Sequence, residues 1–438
     1  DASDPGDWVD QNDLSRAGLE DCETGSSSWH GTRVAGVIAA STNNSAGIAG
    51  VAWSAWILPV RVLGKCGGYD SDILSAMRWA AGLSVPGAPD NPYPAKIINL
   101  SLGGGGTCNA AYRSVIEELS GRGVLVVASA GNEGESVSAP GNCPGVLAVT
   151  GVRHIGTKVG FSNLGPSVGI AAPGGNCVNS GPPCLFSIAT TTNLGPSVPT
   201  SSGYTDAFNF NVGTSFSAPM VAGTAALMHA ANGRLSPEQL IRRMQQGASP
   251  FPPNSSTNIP TCQVPLPGEP DQLECYCTTQ TCGAGIVNAG GAVTHALRPV
   301  ASIQLPSTIA PGQDVPLDAS ASAAACNRSI ASYEWTVVSS TGTAPALSAT
   351  NQASALVQAP ASGEFTLRVT VTDDSGQQDS ADVTIGSASA NTTALPILNE
   401  AACPVPLSIS SISPPTNPSP PAGNGGGGGG GQLAWEVL

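Results

Sequence analysis

Basic residues are scarce in this chain of 438 residues. Lysine and arginine together number 16, against 30 aspartates and glutamates, which gives a formal net charge of −14. Because nucleic acids and anionic membrane surfaces attract basic patches, this balance argues against either as a partner. The sequence also lacks an apolar run of about 18 residues, the length that a membrane-spanning helix requires.

Cysteine, by contrast, is abundant, and its 12 residues favour an oxidising, extracellular compartment. Glycine and proline contribute 54 and 37 residues, whereas charged residues make up only 11% of the chain. This composition predicts a loop-rich fold with long turns. The length is sufficient for two domains.

The cysteine spacings predict particular disulfides. The predicted bridges are Cys177–Cys184, Cys262–Cys275, Cys277–Cys282 and Cys326–Cys403. Because clustered cysteines also hold zinc, a metal site is the alternative for the cluster between residues 262 and 282. Its spacings do not form two Cys-x-x-Cys pairs, which disfavours zinc.

Residues 213–219, with the sequence Gly-Thr-Ser-Phe-Ser-Ala-Pro, place a serine where acyl chemistry is favoured. Ser215 precedes a helix-like run over residues 216–232, so its backbone N–H lies in the first turn, at the positive end of the helix dipole. Both features stabilise the oxyanion that forms when a serine attacks a carbonyl group. The alternative is an ordinary capped core helix.

Two further motifs supply the groups that such a serine needs. His30 opens a second helix of small residues, and Asn132 follows the apolar run over residues 123–128. Nucleophile, general base and amide donor are the parts required for acyl transfer through a tetrahedral intermediate.

In order and context, these motifs resemble those of the subtilisin-like serine peptidases (family S8), in the secreted bacterial branch with C-terminal extensions. The resemblance covers residues 1–297. It implies that Ser215 is the nucleophile, His30 the base and Asn132 the side-chain oxyanion donor, with no cofactor for catalysis. The remaining histidines, which we interpret as structural, are His154, His229 and His295.

In this family the third triad residue is an aspartate that ends an apolar strand upstream of the histidine. The acids before His30 lie in loop-like sequence instead: Asp1, Asp4, Asp7, Asp10, Asp13 and Asp21. We therefore expect that the chain is truncated at its N-terminus and lacks the triad aspartate. Loss of this aspartate lowers the catalytic rate by about four orders of magnitude in related enzymes. The alternative function is then a catalytically impaired scaffold that only binds. A serine esterase is disfavoured because the motif is not Gly-x-Ser-x-Gly.

The resemblance also assigns a substrate cleft. It implies that an edge segment pairs with an extended peptide and that a second segment forms a wall of the first specificity pocket. The edge segment is Leu100, Ser101, Leu102, Gly103 and Gly104, and the wall is Ala128, Ser129 and Ala130. Small residues on both sides predict a roomy, apolar pocket. The alternative is a strand end packed against a helix.

A structural calcium ion and one disulfide are implied in the same way. The loop over residues 41–48 resembles a family loop in which the Asn44 side chain and the carbonyl groups of Thr42, Ala46 and Ile48 bind Ca²⁺, an ion that prefers oxygen ligands. An ordinary Asn-Asn-Ser turn is the alternative. The resemblance further implies a bridge between Cys66 and Cys108.

Apolar runs alternate with helical patterns in the N-terminal part. Predicted strands cover residues 51–63, 95–102 and 123–129, and predicted helices cover residues 72–82 and 108–120. Such alternation is typical of a mostly parallel sheet with helices on both faces, so the fold class is α/β.

Beyond residue 298, short alternating runs predict a β-sandwich. These runs cover residues 300–305, 314–318, 332–338, 354–358, 365–372 and 381–385. The segment 298–387 resembles a PKD-type immunoglobulin-like module.

Residues 388–438, with seven consecutive glycines, are a predicted flexible linker and tail. The tail resembles the entry to a bacterial surface-sorting signal, with a plain low-complexity end as the alternative. The whole predicts a secreted, monomeric endopeptidase that acts on proteins or peptides, with transient attachment to the cell surface.

Overall fold

The structure, a computed structural model, describes residues 6–177, 186–207, 211–266, 268–306, 308–342, 344–387 and 389–392. The predicted bridges Cys177–Cys184 and Cys326–Cys403 each include a cysteine outside these ranges. Most of the predicted linker 388–438 lies outside them as well.

A four-stranded parallel sheet forms the centre of the N-terminal part. Its strands follow the order of the sequence: β1 (Ile97–Leu100), β2 (Leu125–Ser129), β3 (Val146–Val152) and β4 (Val168–Pro173). In β2, Leu125 and Val127 join the core on one face, and Val126 and Ala128 join the core on the other. Because both faces are buried, the strands read as continuous apolar runs.

Helices cover both faces of this sheet. The α-helices of the described residues are α1 (His30–Ala39), α2 (Asp70–Ala80), α3 (Ala110–Ser120), α4 (Thr214–Ala231), α5 (Pro237–Gln246) and α6 (Ala289–Ala296), and a short 3-10 helix covers Asp13–Ser15. Helices α1, α4, α5 and α6 pack on one face, and α2 and α3 pack on the other. The predicted α/β fold class is confirmed. A hairpin of β5 (Thr190–Asn193) and β6 (Ser202–Thr205) packs against α1.

The predicted strand over residues 51–63 is wrong, because these residues form turns and irregular backbone with a single bridge residue, Pro59, outside the described sheet. The run is nevertheless apolar for a structural reason. Val62 is buried in the core beneath α2 and α3, and Leu58 and Val60 pack against it. Apolar character here reflects packing of an irregular segment.

The disulfides confirm two predicted pairs and correct a third. Cys262 bonds Cys275 and Cys277 bonds Cys282, so these sulfurs are not zinc ligands. The implied bridge between Cys66 and Cys108 is wrong. Cys66 pairs with Cys22, with their Cα atoms 5.8 Å apart, and Cys108 pairs with Cys143, with their Cα atoms 5.0 Å apart. The bonded cysteines are 44 and 35 residues apart in the sequence, so short-range patterns do not indicate which cysteines pair.

The C-terminal part is an antiparallel β-sandwich, as predicted. One sheet has the order β7-β10-β9 and the other the order β13-β12-β11-β8. The strands are β7 (Asp314–Asp318), β8 (Ile330–Ser340), β9 (Leu347–Ser348), β10 (Ser354–Gln358), β11 (Glu364–Asp373), β12 (Gln378–Gly386) and β13 (Ala390–Thr392). Residues 300–305, predicted as a strand, make only isolated bridges. Alternate residues of β11 are buried, since one face of the strand lines the core.

A buried arginine joins the two parts. Arg243 of α5 donates from one terminal nitrogen to the carbonyl oxygens of His295, Ala296 and Arg298, at 3.2, 3.3 and 2.6 Å. Its other terminal nitrogen lies 3.4 Å from Asp379 of β12. Burial lowers the pKa of Arg243 to about 10, so the side chain stays charged at neutral pH. A single guanidinium therefore links a helix, the connecting segment and the sandwich.

We expect Arg243→Met to lower the free energy of unfolding by about 3 kcal/mol, because several buried carbonyl groups lose their donor and the buried Asp379 carboxylate keeps, among the described residues, only Arg298 as a cation, at 3.7 Å. Urea unfolding followed by near-UV circular dichroism measures the change. A matched control is Arg368→Met, which breaks an exposed pair with Asp382 and should cost less than about 1 kcal/mol. Equal losses in the two variants would contradict the role given to Arg243.

Candidate active site

Ser215 is the second residue of α4, a helix that is buried along most of its length. Gly213 caps the helix with a φ of 138°, a conformation that favours glycine. Ser215 itself is half-buried. Backbone N–H groups in a first turn have no acceptor within the helix, so the Ser215 N–H belongs to a set of donors that face outward from this end.

The Ser215 side chain lies against the end of β1. Its hydroxyl donates to the carbonyl oxygen of Ser101 at 3.3 Å, and the Ser101 hydroxyl donates to the carbonyl oxygen of Ser215 at 2.7 Å. The Asn99 side-chain amide donates to the Ser101 hydroxyl at 2.9 Å. Because Asn99 and Ser101 are buried, this chain of hydrogen bonds fixes Ser215 to the sheet.

His30 is the first residue of α1, which packs against α4. Its ring meets the ring of Phe216 edge-on, with the centroids 6.0 Å apart. The Nδ1 atom of His30 is buried. The structure therefore places the imidazole beside the residue that directly follows Ser215.

Asp7 holds the segment that leads into α1. Its carboxylate accepts hydrogen bonds from the Ser27 hydroxyl at 2.7 Å, from the Ser28 N–H at 3.0 Å, and from the Ser28 hydroxyl. The Ser28 hydroxyl in turn accepts from the His30 N–H at 3.1 Å. Burial raises the pKa of Asp7, but the hydrogen bonds from Ser28 and Ser27 outweigh burial and keep this pKa below its usual value.

Asn132 is exposed and is tied to the start of α4. Its side-chain oxygen accepts from the N–H of Thr214 at 2.9 Å and from the Thr214 hydroxyl at 3.0 Å. A backbone N–H only donates, so the atom that faces it must be the oxygen, and this fixes the orientation of the amide. The NH₂ group of Asn132 is left as the donor of this side chain.

The two segments assigned to the substrate cleft lie side by side. Leu100 pairs with Ala128 at the carboxyl ends of the parallel strands β1 and β2. The Ser129 hydroxyl donates to the carbonyl oxygens of Leu100 and Leu102, at 3.4 Å each. Gly104 is exposed, and its N–H donates to the carbonyl oxygen of Ala139 at 3.0 Å. The three residues assigned to the wall of the specificity pocket, Ala128, Ser129 and Ala130, are buried.

The loop assigned to calcium follows the C-terminal end of α1, whereas His30 lies at the other end. Within this loop the Asn44 side-chain oxygen accepts from the Ala46 N–H at 3.1 Å, which is the geometry of a simple Asx turn. The loop contains no carboxylate of its own. Calcium binding by Asn44, Thr42, Ala46 and Ile48 stays a prediction.

The profile of the subtilase family, Peptidase S8, matches residues 3–265. The chain belongs to the subtilase family. A second profile, that of a PKD domain, matches residues 306–386, within the sandwich of the subtilase chain.

Two curated relatives of this subtilase are named as extracellular proteases. That of Xanthomonas campestris pv. campestris is 41% identical over 298 residues, covering 68% of this chain and 44% of that protein. The extracellular basic protease of Dichelobacter nodosus is 43% identical over 255 residues, covering 57% of this chain and 40% of that protein. The subtilase chain thus spans less than half the length of these relatives.

A solved structure of a protease from Pseudoalteromonas arctica PAMC 21717 is also similar. It is 39% identical, with a TM-score of 0.55, and the match covers 67% of this chain and 76% of that chain. Among the described residues of the subtilase, no helix has the length and apolar character of a membrane span.

The remaining histidines of the subtilase have contacts elsewhere. His154 Nδ1 lies 2.6 Å from the side-chain oxygen of Asn176. His295, in the last turn of α6, contacts the Arg298 side chain, which lies beyond the end of that helix. His229 lies in the last turn of α4. Sequence reasoning missed Thr214 and Asp7 as supports of the site, because short-range patterns do not reveal hydrogen bonds between distant segments.

A buried lysine also lies in the subtilase domain. The Lys158 ammonium group donates to the carbonyl oxygens of Val159, Gly160 and Ser162, at 3.0, 2.9 and 2.9 Å. Burial lowers the pKa of Lys158 to about 7. The loop over residues 159–163 is therefore folded around one ammonium group.

Lys158 makes the stability of the subtilase depend on pH. Between about pH 7 and pH 10 the unfolded chain binds a proton at Lys158 that the folded chain does not, so stability increases with pH. We expect the difference in free energy of unfolding, wild type minus Lys158→Met, to rise by up to about 1.4 kcal/mol per pH unit in this window. Urea titrations at successive pH values, with Lys65→Met as a second lysine control, measure the difference. A difference that does not vary with pH would contradict the lowered pKa.

Proposed function

We propose that the chain is a secreted serine endopeptidase in which Ser215 attacks the peptide carbonyl, His30 accepts the serine proton and Asn132 stabilises the oxyanion. One observation carries the proposal. The residues on either side of Ser215 contact the other two groups, since Thr214 binds Asn132 and Phe216 packs against His30. A nucleophile, a base and an amide donor are thus gathered around one helix start.

The chemistry follows from these positions. The Ser215 hydroxyl leaves the Ser101 carbonyl oxygen, gives its proton to the His30 imidazole and bonds to the carbonyl carbon of the substrate. The negative charge that develops on the substrate oxygen is stabilised by the Asn132 NH₂ group and by N–H groups at the start of α4. His30 then protonates the leaving amine, and a water molecule releases the acyl group by the reverse sequence.

A peptide substrate is supported by the cleft. The exposed edge that begins at Leu102 and Gly103 offers backbone groups with which an extended chain pairs. The exposed glycines at residues 103–106 leave room beside this edge, so the first specificity pocket accepts a sizeable apolar side chain. Secretion is supported by the disulfides and by the extracellular proteases that the chain resembles.

Labelling with a fluorophosphonate probe tests the proposal. We expect the probe to modify Ser215, as located by peptide mass spectrometry, and Ser215→Ala to abolish the signal. His30→Ala should slow labelling by at least about 10-fold, because the hydroxyl loses its base and the residues of a triad act as a unit. A matched control is His295→Ala, which changes a histidine of α6 and should leave the rate unchanged. Absence of labelling in the folded wild-type chain would favour the binding scaffold.

Asn132→Ala should lower kcat for a peptide substrate about 100- to 1,000-fold, because a donor to the oxyanion is lost. KM should change much less, since the oxyanion exists only near the transition state. Steady-state hydrolysis of a chromogenic peptide measures both constants. A change confined to KM would show that Asn132 only binds substrate and would contradict the assignment.

A further inference from the structure

We propose that Asn163, acting through Glu133, is the positioning residue that holds Asn132 in place for oxyanion stabilisation. This inference rests on the proposed function, because Asn132 must be the oxyanion donor for its position to matter to the rate. Neither Asn163 nor Glu133 has a role in the chemistry itself.

The loop that carries Asn132 is folded around the Asn163 side chain, which is fully buried. The Asn163 side-chain oxygen accepts from the N–H groups of Glu133 and Glu135, at 2.9 and 3.0 Å. The N–H of Asn163 donates to the carbonyl oxygen of Gly131 at 3.0 Å. Asn163 thus holds the backbone on both sides of Asn132.

A second connection runs through a carboxylate. The Asn163 side-chain NH₂ group donates to Glu133 Oε2 at 2.7 Å, and the same oxygen accepts from the N–H of Asn132 at 2.9 Å. Asn163 also donates to the carbonyl oxygen of Ser136 at 3.1 Å. The amide of Asn163 therefore orients the one acceptor that the Asn132 backbone uses.

The backbone at Gly131 lies close to both polar groups of this contact. Gly131 has a φ of 112°, and a Cβ atom added to it would lie 2.2 Å from the Asn163 side-chain nitrogen and 2.6 Å from Glu133 Oε2. The backbone approaches the two polar groups as closely as it does because residue 131 has no side chain.

Asn163 is itself fixed to the central sheet. Its carbonyl oxygen accepts from the Thr150 hydroxyl of β3 at 2.7 Å and from the Ser162 hydroxyl at 3.2 Å. Thr150 and Ser162 are fully buried. Asn132 is consequently held at two points, by Thr214 of α4 at its side chain and by the Asn163–Glu133 pair at its backbone. Since displacement of a catalytic group by about 1 Å lowers rates about 100-fold, this support affects catalysis.

The variant Asn163→Asp tests the inference. It keeps the shape and the oxygen that accepts from Glu133 and Glu135, but it places a second carboxylate oxygen against Glu133 Oε2. Two carboxylates in contact repel when both are charged, and one of them then takes up a proton at a raised pKa. We expect kcat at pH 9 to fall about 10- to 100-fold. The ratio of the variant's kcat to that of the wild type should rise at least about 5-fold between pH 9 and pH 6, as the pair binds a proton.

The same substitution in an Asn132→Ala background separates positioning from folding. If Asn163 acts through Asn132, Asn163→Asp should change kcat less than about 2-fold once Asn132 is absent. Equal factors in both backgrounds would overturn the inference. A matched control is Asn232→Asp. Asn232 is buried at the far end of α4 and donates to the carbonyl oxygen of Ala296, so the ratio of this variant's kcat to that of the wild type should not depend on pH.

A readout without catalysis keeps this test independent of the proposed function. In the Ser215→Ala chain, the N–H of Asn132 should exchange with solvent at least about 10-fold faster after Asn163→Asp, because its acceptor is displaced. Unchanged exchange would overturn the inference even in an active enzyme. An inert wild type with the expected change in exchange would instead count against the endopeptidase proposal alone.

Discussion

Burial of helix α4 is the constraint on which the rest of the structure depends. The helix packs against the four strands of the parallel sheet and against α1, α5 and α6, so its position is set by the whole core. Small residues make this packing close: a Cβ atom added to Gly223 would lie 2.8 Å from Val51. Because Ser215 is the second residue of this helix, its place is determined by apolar packing along the entire domain, and no local contact has to fix it alone.

Polar groups then refine what the packing establishes. The segment from Lys158 to Asn163 is buried, and its polar side chains find partners in the neighbouring backbone. Leaving such groups unpaired costs more than their hydrogen bonds contribute, so the segment has one favourable conformation. That conformation presents Asn163 to the loop of Asn132. The exposed Asn132 is thereby connected, through Asn163, to Thr150 of β3, an inner strand of the sheet.

The sequence predicted well those features that have a short-range signal. Strands β1 and β2 and helices α2 and α3 combine a period with a particular turn or cap, and these elements predicted the fold class, whereas the roles of His30, Asn132 and Ser215 stay predictions. Features that depend on distant partners were missed or misassigned. The segment over residues 51–63 is apolar because it lies under α2, and Cys66 bonds Cys22 across 44 residues. Asn163 carries one weak signal, a polar Ser-Asn pair between the buried Phe161 and Leu164, but nothing in the sequence connects that pair with residue 133.

The sandwich joins the subtilase domain at the end of the core that is remote from Ser215. The Cys326 N–H donates to the carbonyl oxygen of Ala231, the last residue of α4, and the rise of an α-helix places that residue about 24 Å from Ser215. Arg243 and Arg328 both bind the connecting segment, Arg328 through the carbonyl oxygen of Leu297. Arg328 is also paired with Asp373 of β11, within the sandwich. These contacts hold the sandwich against the C-terminal ends of α4 and α6. The contacts of the sandwich with α4, α5 and the end of α6 therefore lie away from the start of α4, so the junction contributes to stability, whereas contacts within the subtilase core set the geometry around Ser215.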